Sequence, residues 1–126
     1  MPLDSKEIKK KRFVGLSFAW NGWKYSLKHE RNIKIHTVIG VIAISFGVFL
    51  KVSTIEWSIL VLTIGFVFAM ELLNTAIERI LDYLSPGIDP MVGLVKDIAA
   101  AAVFVSALTS IVVGMIIFLP KLIYLF

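Results

Sequence analysis

From Ile98 to Leu119 the chain runs for 22 residues without a charged side chain. A helix rising about 1.5 Å per residue makes that stretch about 33 Å long, enough to cross a hydrocarbon core of about 30 Å. Composition points the same way: 58% of the residues are hydrophobic and 17% charged, against about 45–50% and about 25% in a soluble domain. A soluble globular enzyme is therefore not expected. A chain of 126 residues also leaves no room for an appended Rossmann or P-loop nucleotide domain, and a single membrane domain is expected. Zero cysteines remove disulfides, thiolate metal sites and cysteine nucleophiles together.

The charge is unevenly placed. Residues 1–34 hold nine of the thirteen Lys/Arg and three acids (Asp4, Glu7, Glu30), a balance of +6, and the remaining residues balance to −2. The cations adjoin the first apolar segment, which points to a membrane surface rather than nucleic acid and places the N-terminus in the cytoplasm. The basic region is too long for a cleavable signal peptide, and no small-residue cleavage site follows a short apolar core. Phe13, Leu16, Trp20, Trp23 and Leu27 step by three and four residues. Residues 1–29 are therefore predicted as an interfacial segment, with an amphipathic helix from residue 5 onward; a plain topology-setting tail is the other reading.

Three spans are predicted, over about 33–50, 55–84 and 95–119, with Pro120 and Lys121 stopping the last and Ser85-Pro86-Gly87 and Asp89-Pro90 making the one substantial loop. The fold expected is all-α, a polytopic membrane protein. The order of spans puts residues 51–56 and the C-terminus outside and the 84–93 loop inside. Along the third span Ala102, Ser106, Ser110 and Gly114 recur every four residues, a small-residue ridge along which another helix can pack closely. With only three spans per chain a polar site is hard to shield, so an oligomer is expected.

The second span breaks its apolar pattern on one face. Glu71, Asn74, Glu78 and Asp82 fall within an arc of about 80° at roughly 100° per residue. A charged residue at bilayer depth costs about 2.5–3.5 kcal/mol near the centre, so such groups are functional by default. The competing reading is a structural polar seam with Arg79 or Lys96 as counter-ion. Topology brings Glu30, Glu78, Asp82, Lys96 and Asp97 into one interface layer, with Glu71 about two turns deeper. Carboxylate oxygens suit a hard cation such as Mg²⁺, which usually takes one or two of them plus water and phosphate. A nearby lysine adds a point charge for phosphate, and Glu71 is placed to take a proton from a molecule arriving through the lipid. Neither GxxxxGK[ST] nor GxGxxG occurs. His29 and His36 lack a second ligand at helical spacing and are read as interfacial side chains rather than metal ligands.

Glu71-Leu-Leu-Asn74-Thr-Ala-Ile-Glu78-Arg-Ile-Leu-Asp82, followed by Lys96-Asp97-Ile-Ala-Ala-Ala-Ala-Val103, resembles the signature of the bacterial integral-membrane diacylglycerol kinase family. The resemblance covers nearly the whole chain. Trp20-Asn21-Gly22-Trp23-Lys24 and Lys28-His29-Glu30-Arg31-Asn32 are most similar to its Gram-positive branch, the undecaprenol kinases. The resemblance implies a homotrimer with active sites between subunits near the cytoplasmic face, and transfer of the ATP γ-phosphoryl group to a lipid hydroxyl with Mg²⁺. It implies Glu71 as catalytic base, organised by Asn74, and Glu30 and Glu78 as metal ligands that also contact the nucleotide phosphates. Lys96, Asp97 and Lys11 match ATP-binding positions, Lys11 standing for an arginine there. Phe18 stands where some members have tyrosine, and Ala101 where relatives often have glycine.

Undecaprenol is the expected acceptor, with diacylglycerol as the alternative. A small proton-coupled transporter is the reading from another class, since an intramembrane glutamate in a small oligomer also carries protons. Lys96-Asp97 and the interface-level Glu30 argue against it, because a transporter places its polar site near the midplane.

Overall fold

The computed structural model describes residues 15–126; Lys11, Phe13 and the predicted start of the first helix lie outside the described residues. Four helices follow in order: α1 (Gly15–His29), α2 (Arg31–Phe49), α3 (Thr54–Leu84) and α4 (Pro90–Leu125). Among them α2, α3 and α4 are long and apolar enough to cross a membrane, and the chain is a multi-pass membrane protein. Its outer surface matches that setting: Phe49, Leu62 and Ile116 are each about 70% exposed on the isolated chain.

A single extended residue, Glu30 (φ −106°, ψ 116°), separates α1 from α2. Its amide still donates to the Ser26 carbonyl at 2.8 Å, so the chain kinks there without a loop. Glu30 sits at the N-cap position of α2 yet makes no side-chain cap, because its carboxylate is taken by Arg79 of α3.

At the opposite end, α2 closes with two nested backbone bonds, Val52 N–H to the Gly47 carbonyl (3.1 Å) and Lys51 N–H to the Val48 carbonyl (3.3 Å). Lys51 takes the left-handed conformation at φ 54°, the position this helix ending normally gives to glycine. Two residues later Ser53 opens α3 with a capping box: its hydroxyl accepts from the Glu56 amide at 3.2 Å and the Glu56 carboxylate accepts from the Ser53 amide at 3.0 Å. The apolar core lies at this end, where Val52, Leu60 and Ile117 are buried with Trp57, Ile64 and Phe118 against them. Gly47 is required for that packing, since a Cβ there would stand 2.6 Å from the Trp57 ring.

The third predicted span differs from the structure at both ends. Pro90 does not break the chain but begins α4, with Asp89 as N-cap accepting from the Met91 amide at 2.9 Å, so only residues 85–89 lie between the helices. Proline suits this place because the first helical turn has no partner for its N–H. Pro120 does not end the span: it lies inside α4, which continues to Leu125. Proline removes one backbone bond from a helix interior. Beyond it Lys121 reaches the Glu56 carboxylate at 3.0 Å, anchoring the continuing turn to the start of α3. Of the predicted small-residue ridge, Ser106 is fully buried and Ala102 exposed. The Ser106 and Ser110 hydroxyls donate to their own helix carbonyls, leaving small size as what these positions offer to packing. α4 lies most extensively along α3, so part of the ridge serves packing within the chain.

Candidate functional site

The predicted polar stripe of α3 is present and graded in burial. Glu71 is 2% exposed, Asn74 and Glu78 are half-buried and Asp82 is exposed. The 3.6-residue helical repeat puts these four side chains on one face. α3 has 31 residues, about 46 Å at 1.5 Å per residue, so its last turns extend beyond an apolar crossing and carry the stripe outward.

Each acid of the stripe meets a different group. The Asp82 carboxylate pairs with Lys96 of α4 at 2.5 Å, which fixes the start of α4 beside the end of α3. Glu78 accepts from the Asn74 side-chain amide at 3.5 Å, a long contact within one helix. Arg79 turns to the α1–α2 junction and pairs with Glu30 at 2.5 Å, while its guanidinium lies 5.7 Å from the centre of the Tyr25 ring. Glu71 meets His36 of α2, with Oε1 at 3.1 Å from Nε2. That contact is close but poorly aligned, and the buried Glu71 Oε1 and Asn74 Oδ1 are both left without a hydrogen-bond partner. Two such oxygens one turn apart are unusual, because an unsatisfied buried acceptor carries most of its desolvation cost.

Two pairs join residues expected in one layer: Glu30 with Arg79 and Asp82 with Lys96. Glu30 and Glu78 are also within electrostatic range of Glu71. Asp97 is exposed. The counter-ion reading is realised in part, since Arg79 and Lys96 are both engaged with acids, but neither is the partner of Glu71.

His36, read from sequence as an interfacial side chain rather than a metal ligand, is half-buried and lies against the buried Glu71. Depth matching would have found it. Glu71 lies seven residues from Glu78, and His36 six residues from Glu30, so at about 1.5 Å per residue the two sit at similar depths on neighbouring helices. The sequence alone does not show that their faces meet.

Among the described residues no three His, Cys, Asp or Glu side chains gather to hold a metal. The donor set nonetheless suits Mg²⁺, which commonly takes one or two protein carboxylates and completes its shell with water and phosphate oxygens. Glu30 and Glu78 are hard oxygen donors, and Glu30 is paired with Arg79, the residue that follows Glu78.

Hollows lie on two sides of α3. One of about 420 Å³ lies between α1 and α3, bounded by Trp23, Tyr25, Thr75 and Arg79 among others. The other, about 180 Å³, lies between α2, α3 and α4 and is mostly apolar, with His36 in its wall. Trp23 closes the near side of α1 against Phe68, ring centres 5.0 Å apart.

Comparison with known proteins adds independent information. The family described as prokaryotic diacylglycerol kinase matches residues 17–118. The chain is 37% identical over 123 residues to the undecaprenol kinase of Bacillus subtilis, covering 95% of this chain and 100% of that one. It is 35% identical over 113 residues to the diacylglycerol kinase of Synechocystis, covering 89% of this chain and 65% of that longer protein. Against the diacylglycerol kinase of Haemophilus influenzae the identity is 31% over 113 residues, covering 83% and 96%.

Proposed function

The chain belongs to the prokaryotic diacylglycerol kinase family, and from that premise we propose that it phosphorylates undecaprenol, using Mg²⁺ and ATP, to give undecaprenyl phosphate. Glu71 carries the catalytic part of this reading: its carboxylate is buried in a membrane helix, and with Oε1 turned toward His36 its other oxygen is the one to receive a proton from a lipid-borne hydroxyl. The acceptor rests on the full-length similarity to an undecaprenol kinase.

Phosphoryl transfer depends mainly on positioning and charge neutralisation, so it does not require a large nucleotide domain. As the acceptor oxygen bonds to the γ-phosphorus, the bond from that phosphorus to the bridging oxygen of ADP breaks. A lipid alcohol is too weak an acid to ionise beforehand, and Glu71 accepts its proton while the new bond develops. Asn74, one turn away, orients the site with its side-chain amide toward Glu78. Glu30 and Glu78 would hold Mg²⁺, whose charge offsets that of the transferring phosphate. Lys96, Asp97 and Lys11 contact the nucleotide, Lys96 exchanging its pairing with Asp82 for phosphate.

The same reading places the N-terminus and the Glu30 end of the helices at the cytoplasmic face of a bacterial cell membrane. α1 then lies along the interface, where Leu16 and Trp20 are exposed on the isolated chain. Three copies form the working unit, with sites completed between subunits. A kinase assay on the purified protein with Mg²⁺, ATP and either undecaprenol or diacylglycerol tests the assignment. A higher kcat/KM for undecaprenol is expected, and a large preference for diacylglycerol would overturn the choice of acceptor.

A further inference from the structure

His36 is the residue that joins the carboxylate stripe to the apolar hollow between α2, α3 and α4. Its Nε2 lies 3.1 Å from Glu71 Oε1, and its ring forms part of the wall of that hollow beside Ile39, Gly40, Val67 and Phe68. The hollow's other polar side chains are Thr63 and Ser110. Their hydroxyls are already spent on their own helices, Thr63 donating to the Ile59 carbonyl at 2.7 Å and Ser110 to the Ala107 carbonyl at 2.6 Å. His36 is thus the side chain there that reaches out of its own helix to a charged group.

A buried carboxylate with a free oxygen has no intrinsic reason to hold one rotamer. On α3 the stripe residues nearest Glu71 do not hold it, since the Asn74 amide points to Glu78. From α2 the facing group is His36, and Glu30 and Glu78 are the acids close enough to act on Glu71 electrostatically. We infer that His36 is a positioning residue for phosphoryl transfer: its Nε2–H takes up Glu71 Oε1 and so aims the other carboxylate oxygen at the acceptor hydroxyl. A close but unaligned contact of this kind is one that a reacting complex can tighten. This role rests on the kinase reading above and adds to it a residue that is neither the base nor a nucleotide or metal ligand.

The test compares wild type, His36→Phe and His36→Gln as purified full-length protein, with kcat and KM measured separately for the lipid acceptor and for Mg²⁺-ATP. His36→Phe removes the donor and should lower kcat about 100-fold, the scale expected when a reacting group is misplaced by about 1 Å. KM for Mg²⁺-ATP should stay within about twofold. Gln can present an N–H at similar reach, so His36→Gln should recover about tenfold of the loss. As a readout independent of turnover, the ¹⁵N resonance of His36 Nε2 should move in Glu71→Gln. A His36→Phe enzyme with kcat near wild type, a His36→Gln enzyme no better than His36→Phe, or an unmoved resonance each overturns the inference. If wild type itself phosphorylates no lipid alcohol, the kinase reading is what fails.

Discussion

The two ends of the helical bundle spend their polar groups in opposite ways. At the Lys51 end they complete structure: the Ser53–Glu56 capping box closes, the α2 terminus is satisfied by nested backbone bonds, and Lys121 ties α4 to Glu56. Those contacts surround the buried core of Val52, Leu60 and Ile117. At the Glu30 end the acids hold cations at the rim but leave Glu71 Oε1 and Asn74 Oδ1 buried and unsatisfied. Buried polar groups left unsatisfied call for an explanation, and sites of function are where such departures are expected. On the proposed function the chemistry belongs to the Glu30 end, so substitutions at the two ends should fail different assays.

The largest effect should come from Glu71→Gln, which keeps the shape and removes the proton acceptor. A loss of about 10²–10⁴ in kcat is expected for a positioned base, with ATP binding retained in a nucleotide-binding measurement; turnover near wild type would break the division between the ends. Glu30→Gln and Glu78→Gln should act on metal use instead, raising the Mg²⁺ concentration for half-maximal activity about tenfold or more. A Mg²⁺ titration indistinguishable from wild type would remove them from that role.

At the structural end the expected changes are in unfolding rather than turnover. Gly47→Ala drives a methyl group into the Trp57 ring, where the built Cβ lies at 2.6 Å, and overpacking of this kind costs about 1–3 kcal/mol. Thermal unfolding in detergent should show the loss, with kcat preserved at a temperature where the protein remains folded. The smallest effect, with the opposite sign, is expected from Lys51→Gly. Lys51 occupies a left-handed conformation at φ 54° that carries a penalty of about 1–2 kcal/mol for residues with a Cβ. The added flexibility of glycine in the unfolded chain offsets part of this. A gain of about 0.5 kcal/mol is expected, and a lowered unfolding temperature would show that the lysine side chain contributes more than its backbone costs.

Relations within one helix were legible from the order of residues. The length of the apolar stretches and the face shared by Glu71, Asn74, Glu78 and Asp82 follow from a rise of about 1.5 Å and a rotation of about 100° per residue. Helix termini were less legible. Proline ends a helix or begins one according to whether its missing N–H falls inside the ladder or in the first turn, and Pro90 and Pro120 were both read as stops. Pro90 has the Asp89 cap before it, and past Pro120 the Lys121–Glu56 pair anchors the continuing helix.

The sequence by itself determined that this chain crosses a membrane, that one apolar helix carries acids along a single face, and that those acids match a lipid kinase signature. Only the tertiary structure decided which groups they meet: Glu71 with His36, Glu30 with Arg79, Asp82 with Lys96. The reason is geometric. Helical periodicity is a local property repeated at every residue, whereas a contact between helices depends on their relative rotation and depth, set by packing summed over many side chains.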